Sequence, residues 1–415
     1  MSDTTDAPTA PSRIVTLDII RGVAVMGIFS VNVVAFAMIE EAYFNPRAYG
    51  GHSGVDLAVW AANLLLTDGK MRTLFSMLFG ASMLLVIDRA EASGRSGIRV
   101  HVRRMLVLLG FGLMHYFLLW FGDILTLYAL SGLIAVAFRH RSPRRLIFGG
   151  VIATLVGLMI FAAYIVQQYA ADLAAHAPHA KASAIAAWNE GLGTYYPAPD
   201  VIARDIALHR SSWWTLASHM LSEWRQIIPS SIIFMPETIG LMMFGMAGYK
   251  SGFLTGQWSD ASYRRFALAT VPLGLAAFAI LIWADIRSQF HIITVFGGFI
   301  VAVVPFRIAM AAGYAASIIL ATRRHGWLAQ RIAATGRAAF SNYLGTSLIA
   351  AFMFYGWGLG LYGSVSRAQA WLLVPLVWLI MLSWSKPWLD RFHYGPLEWL
   401  WRSLSRGQFQ PMRKA

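Results

Sequence analysis

His115 and Asp123 are the pair of side chains in this sequence best suited to acid–base chemistry. His115 ends a segment that begins at Gly110, and Asp123 follows Gly122 after a short aromatic-rich run. A carboxylate that orients an imidazole and stabilises the imidazolium is the minimal arrangement for a general base. The residues by themselves favour the simpler interpretation, a buried histidine whose hydrogen bond only helps two helices to pack. Both interpretations stay open at this point.

Asp18, Arg21 and Asn32 lie on one face of the first predicted helix. Asp18 and Arg21 are three residues apart in the sequence, which places them side by side on a helix. Asn32 lies further along the same helix and is rotated from Arg21 by only roughly 20°, which makes a polar stripe about 20 Å long. The stripe is either an ion pair and a bridging asparagine that fix helix packing, or the wall of a polar passage.

Three more polar residues are weaker candidates. Glu237 follows Pro236 and is predicted as a carboxylate at a disturbed turn inside a membrane span. His52 lies in a glycine-rich loop predicted on the outer side, where a solvated histidine is the default, and Asn342 can simply join two helices. The chain has no cysteine, which excludes disulfides, iron–sulfur clusters and thiol catalysis. No phosphate loop, zinc motif, nucleophile elbow or dinucleotide motif occurs, so we expect no metal site.

The composition places these residues in a membrane protein. Apolar residues make up 57% of the chain and charged residues only 13%, and the mean hydropathy is +0.56. A soluble domain carries about 25% charged residues, so this chain must expose apolar surface to lipid. Apolar runs predict an all-α bundle of about ten transmembrane helices, near 14–38, 70–88, 104–120, 124–138, 145–168, 226–248, 266–283, 291–320, 338–356 and 368–385. The eighth run is long enough to contain a break around Pro305.

The distribution of arginine predicts the orientation of this bundle. If ten helices alternate, the arginine-rich loops around residues 95, 142, 264 and 324 and the basic C-terminal tail all fall on one side. The positive-inside rule makes that side the cytoplasm, with both termini there. The net charge of +14 is therefore mainly a topology signal, and we expect no nucleic-acid partner.

These spans divide the chain into five predicted parts. Residues 1–12 form a disordered N-terminal tail, 13–168 an N-terminal transmembrane bundle, and 169–225 an extracytoplasmic segment. Residues 226–385 form a C-terminal transmembrane bundle, and 386–415 a basic cytoplasmic tail.

Several motifs resemble the YeiB-type family of bacterial polytopic membrane proteins. They are LDIIRGVA at 17–24 with VN at 31–32, LFSMLFGA at 74–81, GLMH at 112–115, GDIL at 122–125, GRAAFSNYL at 336–344 and YGPLEWLWR at 394–402. The resemblance covers nearly the whole chain except the segment 169–225. Through its opening helices this family is similar to the transmembrane acyltransferase superfamily that includes heparan-α-glucosaminide N-acetyltransferase.

The resemblance implies a bacterial inner-membrane protein that transfers an acyl group. The donor would be a cytosolic acyl-CoA such as acetyl-CoA, and the acceptor a sugar, a glycolipid or a similar molecule on the far side. By position, Asn32 and His52 match an asparagine and a histidine of the sugar acetyltransferase, and the family's own histidine corresponds to His115, with Asp123 close behind. Membrane lipids are expected partners, and a homodimer is expected by analogy.

The leading hypothesis from sequence is therefore an acyltransferase. His115, or else His52, would act as general base, Asp123 would orient it, and Asn32 would hold the acyl carbonyl or its oxyanion. The Asp18–Arg21–Asn32 stripe would line the donor's channel, and the basic inner loops could attract the donor's phosphates. The alternatives are a transporter or permease for a small solute or lipid that uses the same stripe, and a protein that only scaffolds or senses.

Overall fold

A computed structural model describes residues 14–324 and 326–414, and this part of the chain is helical, with no strand beyond one isolated bridge. The predicted tail 1–12 lies outside the described residues. The α-helices are α1 Val15–Ala37, α2 Gly54–Leu66, α3 Lys70–Ala92, α4 Gly97–Leu118, α5 Leu125–Ala135, α6 Pro143–Ala175, α7 Ala182–Gly193, α8 Pro199–His209, α9 Trp213–Ser222, α10 Trp224–Lys250, α11 Asp260–Arg287, α12 Ile292–Phe296, α13 Val304–Thr322, α14 Trp327–Arg337, α15 Ala339–Phe354, α16 Arg367–Trp371, α17 Leu373–Arg391 and α18 Pro396–Arg406.

Seven stretches of the described chain are long and apolar enough to cross a membrane. They are Val15–Ala37, Gly54–Ala92, Pro143–Ala175, Trp224–Lys250, Asp260–Arg287, Val304–Thr322 and Arg367–Arg391. Shorter apolar helices cover Leu125–Phe138, Ile292–Ala302 and Ala339–Phe354. The protein is thus a helical membrane protein, and the count of ten spans with both termini in the cytoplasm stays a prediction.

Two predicted spans are not single continuous helices of the predicted length. The run predicted at 291–320 is broken, as expected near Pro305: a π-helical segment, Gly297–Ala302, separates α12 from α13. The second span is preceded by an apolar helix, α2, which the sequence analysis did not predict. Gly69, with φ +70°, makes the turn between α2 and α3.

A short connection, 119–124, joins α4 to α5. The helical stretch that follows it, Leu125–Phe138, covers 14 residues, or about 21 Å at 1.5 Å per residue, against roughly 30 Å of hydrocarbon. Trp213 of α9 covers the connection, because its indole N–H donates to the Leu118 carbonyl at 2.8 Å.

Glycines allow helices to approach closely at two crossings. A Cβ atom on Gly80 of α3 would lie 2.7 Å from the Met242 carbonyl carbon of α10, and one on Gly245 would lie 2.7 Å from Met77 Cα. In the same way, Gly336 of α14 packs on the backbone of α1, where an added Cβ atom would lie 2.6 Å from the Gly22 nitrogen. These contacts bring α1, α3, α10 and α14 together around the interior.

The segment 169–225 and the C-terminal tail 386–415 both pack on the bundle. Of the segment 169–225, the first residues continue α6 to Ala175, and α7, α8 and α9 follow as separate helices. The segment is joined to the end of α15 where the Gly356 amide donates to the His209 carbonyl at 2.9 Å. In the basic tail, α18 caps the start of α15, since Glu398 accepts hydrogen bonds from the Phe340 and Ser341 amides at 2.7 and 3.1 Å.

Candidate functional site

A cleft of about 260 Å³ enters the bundle between α1, α3, α4, α5, α15 and α18. Its inner walls are apolar and aromatic, with Phe75, Phe79 and Leu108 along the sides. Ile124, Tyr128 and Tyr343 also line it. Ile124 is the last residue of the connection 119–124 between α4 and α5, so the cleft reaches that connection. The apolar walls of the cleft suit an extended apolar chain.

Asp18 and Arg21 lie in the wall of this cleft, and the pairing expected from their spacing is present. The Arg21 guanidinium donates to Asp18 Oδ1 at 3.1 Å, to Ser82 Oγ at 2.7 Å and to the Gly336 carbonyl at 3.4 Å. The three contacts tie α1 to α3 and α14. The pair therefore both fixes helix packing and lines the cleft, which joins the two interpretations that the sequence left open.

An arginine-rich basin of about 600 Å³ adjoins the cleft at the end of the bundle that carries the basic loops. Seven arginines line it and no carboxylate does among the described lining residues: Arg89, Arg95, Arg99, Arg103, Arg104, Arg402 and Arg406. Three of them, Arg89, Arg104 and Arg402, line the cleft as well. The basin and the cleft thus share part of their walls, with strong positive charge in the basin and apolar walls in the cleft.

His115 and Asp123 form a pair behind Tyr343, which lines the cleft. His115 Nδ1 lies 2.9 Å from Asp123 Oδ1, and their side chains are only 1% and 0% exposed. The second carboxylate oxygen accepts the Thr126 amide at 2.8 Å. With Nδ1 donating to the carboxylate, Nε2 carries the lone pair, and this buried atom has no hydrogen-bond partner in the described structure. An acceptor nitrogen aligned by a carboxylate is what a general base requires.

Gly112 allows this pair to form. A Cβ atom there would lie 2.5 Å from the Thr126 nitrogen and 3.0 Å from Asp123 Oδ2. Only a residue without a side chain lets α4 approach the start of α5 so closely. The GLMH and GDIL motifs are thus two halves of one contact.

Tyr343 stands between the His115 imidazole and the cleft. The two ring centroids are 5.4 Å apart, and the buried Tyr343 hydroxyl also has no hydrogen-bond partner in the described structure. Tyr343 lines the cleft whereas His115 lies just behind it. On its other side His115 faces Trp120 at 6.1 Å, and Trp120 stacks on Phe36 at 4.2 Å.

The segment 169–225 is fastened to the loop after α15 by a small polar cluster that includes two residues of α8. Tyr362 donates to Asp205 at 2.6 Å, and His209 lies 3.3 Å from the same carboxylate and stacks on Tyr362 with centroids 4.1 Å apart. Burial alone raises the pKa of Asp205, but the hydrogen bonds from His209 and Tyr362 outweigh it and hold the pKa below its ordinary value of 3.8. Asp205 is therefore ionised at neutral pH and fastens α8 to the loop after α15.

The other predicted site residues lie apart from one another. Asn32 is half-buried on α1, one turn beyond the cleft-lining Ile28, and no hydrogen bond to its side chain is found in the described structure. His52 is exposed, outside the cleft. Asn342 is fully engaged: it donates to the Thr335 carbonyl and Ser385 Oγ and accepts from Trp384. These contacts make it a link between helices.

Glu237 belongs to a second polar region that the sequence analysis recognised only in part. Its carboxylate accepts from Arg72 of α3, with both oxygens 3.0 Å from Arg72 Nη2, and from Arg307 of α13. Both arginines lie in predicted spans. The rule that ionisable residues inside spans mark sites, applied to Asp18, applies equally to them. No group of three or more histidines and acidic residues that could hold a metal is found in the described chain.

The comparisons with known proteins agree with the motifs. Residues 248–408 match a family model described as "Protein of unknown function (DUF418)". The chain is 31% identical to the uncharacterized protein YxaH of Bacillus subtilis over 97% of this chain and 96% of the relative. It is 32% identical to the uncharacterized protein YeiB of Escherichia coli over 95% and 96%. No solved structure matches. The chain belongs to the YeiB-type family of membrane proteins.

Proposed function

We propose that this protein is a transmembrane acyltransferase of the bacterial inner membrane that uses a cytosolic acyl-CoA and modifies an acceptor on the far side. One observation carries the proposal. An arginine-rich basin adjoins an apolar cleft, and Tyr343 in the wall of that cleft packs against the His115 imidazole of the His115–Asp123 pair. Positive charge, apolar walls and an aligned base are the parts that such a reaction needs.

The residues present fit an acyl-CoA donor. Guanidinium groups bind phosphate oxygens with two parallel hydrogen bonds, and Arg89, Arg104 and Arg402 stand where the basin meets the cleft. The aromatic walls at Phe75 and Phe79 suit the uncharged arm and the acyl chain. The positive-inside rule places this basin in the cytoplasm, where such donors are found.

The chemistry assigned to the chain is a proton transfer beside an acyl carbonyl. His115 Nε2 takes the proton of the acceptor hydroxyl or amine as that group attacks the carbonyl, either directly or through the Tyr343 hydroxyl. The bond between the carbonyl carbon and the donor's sulfur breaks, and the proton returns to the sulfur, which leaves as a thiol. Asp123 holds the imidazole in the required tautomer and stabilises its charged form. His52 is left out of this proposal because it is exposed.

The absence of cysteine makes a direct test available. A thiol reagent added to the purified protein reports only free thiol that the donor releases, because the chain itself contributes none. We expect acceptor-dependent release from acetyl-CoA or longer acyl-CoAs with the wild type. His115→Gln keeps an amide to bond Asp123 but cannot take a proton, so we expect donor binding without release.

Binding is tested separately with charge variants. Arg104→Gln should weaken donor binding, since that residue lines both the basin and the cleft, whereas Arg204→Gln should not, because Arg204 pairs with Asp200 on the exposed outer segment. Equal binding by both variants, or equal thiol release by the wild type and His115→Gln, would contradict the proposal.

A transporter for a small solute or lipid is the second candidate. The interruption of the eighth span by the π segment 297–302, beside the charged residues Arg72, Glu237 and Arg307, supports it, since broken helices at charged sites recur in transporters. A transporter would show solute flux in vesicles and no release of thiol from acyl-CoA.

A further inference from the structure

Arg72, Glu237 and Arg307 form a buried ion cluster that the proposed reaction does not use. The three residues come from α3, α10 and α13 and meet through the Glu237 carboxylate. The Glu237 and Arg307 side chains are only 9% and 3% exposed. Arg72 and Arg307 both lie in the first turn of their helices, and Glu237 lies midway along α10. The cluster is therefore at the opposite end of α3 from Arg89, which lines the arginine basin.

Two guanidinium groups share the single carboxylate of this cluster. Two further ionisable residues lie nearby. Asp68 accepts a hydrogen bond from Tyr43 at 2.7 Å, and the Lys70 nitrogen lies 2.9 Å above the centre of the Phe278 ring.

Both arginines also have N–H groups that do not bond Glu237. Among the described contacts, each arginine reaches Glu237 through Nη2 alone, and Arg307 Nε is buried without a hydrogen-bond partner. The Arg72 side chain is 25% exposed, so part of its fork opens on accessible space. The neighbouring π segment 297–302 contains no buried residue. One side of the cluster is thus open next to an irregular helix, an arrangement often found at functional sites.

The backbone around the cluster is shaped to hold Arg307. A Cβ atom on Gly69 would lie 2.5 Å from Arg307 Cδ, and Gly69 has a φ of +70°, which favours glycine. Phe299 of the π segment lies 5.9 Å from the guanidinium carbon of Arg307. The turn before α3 and the π segment before α13 thus place the arginine from two sides.

We propose that Arg72 and Arg307 bind one phosphate-type oxyanion, with Glu237 holding the two guanidinium groups in place. A phosphate matches the fork of a guanidinium, and the arginines have N–H groups that Glu237 does not use. The site lies at the end of two membrane helices and is open beside the π segment, so the oxyanion is either a lipid headgroup or free phosphate. It is separate from the arginine basin and independent of the proposed acyl transfer.

Hydrogen–deuterium exchange on the full chain in a neutral, phosphate-free detergent tests the site locally. The probes are inorganic phosphate, compared with chloride at equal ionic strength, and a short-chain phosphatidylglycerol. We expect slower exchange in peptides that cover 292–307. Binding in the arginine basin does not produce this signal, because the basin lies at the other end of α3.

Arg72→Gln is the informative variant. It leaves Glu237 paired with Arg307, which favours folding. We expect this variant to lose the probe-dependent protection, while Arg204→Gln, an exposed control on the outer segment, keeps it. Protection by both probes identifies the phosphate group itself as the ligand, and protection by the lipid alone identifies a headgroup. No protection by either probe, or the same protection in Arg72→Gln, overturns the proposal.

Discussion

The crossing of α3 and α10 at Gly80 and Gly245 should be intolerant of even one added methyl group. A Cβ atom at either position would lie 2.7 Å from a backbone carbon of the other helix, whereas carbon atoms in contact are about 3.5–4.0 Å apart. The helices would have to separate by about 1 Å, and a rigid backbone cannot yield as a flexible side chain does. Overpacking of this kind costs about 1–3 kcal/mol, and we expect the upper part of that range.

A glycine-to-alanine substitution should have the opposite effect on stability at two other positions. Gly110 in α4 and Gly345 in α15 are helical glycines whose added Cβ would meet nothing within 4 Å. Alanine is favoured over glycine inside a helix by about 0.5–1 kcal/mol. Gly110→Ala and Gly345→Ala should therefore keep or raise the melting temperature in detergent, read from tryptophan fluorescence, while Gly80→Ala and Gly245→Ala lower it. If all four variants shift alike, the close crossing is refuted.

The crossing also bears on the charged cluster. Arg72 and Glu237 each lie eight residues before the glycine of their own helix, about 12 Å along the axis. Separation at the glycines should weaken the hydrogen bond between these two residues. Gly245→Ala and Glu237→Gln should then be less than additive in their effect on stability, and strict additivity would show that the two contacts are independent.

Three further predictions follow from particular contacts. A reporter fused after Ala180 should be active only outside the cytoplasm, and cytoplasmic activity would overturn the topology. Asp18→Ala and Arg21→Ala should each lower the melting temperature, and the effect of the double variant should be smaller than the sum of the two. The loss in free energy of unfolding should be less than the roughly 3–5 kcal/mol of a fully buried pair, because Arg21 is 22% exposed and also donates a hydrogen bond to Ser82. Asp205→Asn should loosen α8 at neutral pH. Because the pKa of Asp205 is lowered by folding, its contribution exists above pH 3.8 and disappears as the pH falls below that value, so exchange in 199–209 should differ between variant and wild type only above it.

The parts of the site that sequence reasoning predicted are local ones. Asp18 and Arg21 are neighbours on one helix, and His115 and Asp123 are joined by a short hairpin, so spacing along the chain is enough to bring each pair together. The break near Pro305 also follows from a local property of the backbone. The close contact of α4 with the start of α5 did not follow, since it depends on the backbone approach at Gly112.

The roles of several polar residues depend on distant partners. Asn342 was a candidate for binding, yet Thr335, Ser385 and Trp384 occupy its amide completely. Glu237 was expected at a disturbed turn, and only the packing of α3 and α13 supplies Arg72 and Arg307. The motif that contains Glu398 matched the family, but its contact with the start of α15 appears only in three dimensions.

The sequence by itself determined that this is a helical membrane protein, that many of its arginines lie in a few loops and the C-terminal tail, and that it carries a histidine and a carboxylate close together. Hydropathy and short-range spacing are properties of consecutive residues, so they can be read without a fold. Only the tertiary structure decided that the cleft adjoins the arginine basin, that Tyr343 in its wall packs against His115, and that two arginines share Glu237. Those facts depend on which faces of distant helices meet. In this protein, glycines at the crossings determine how closely the helices approach, and no sequence pattern singles these glycines out.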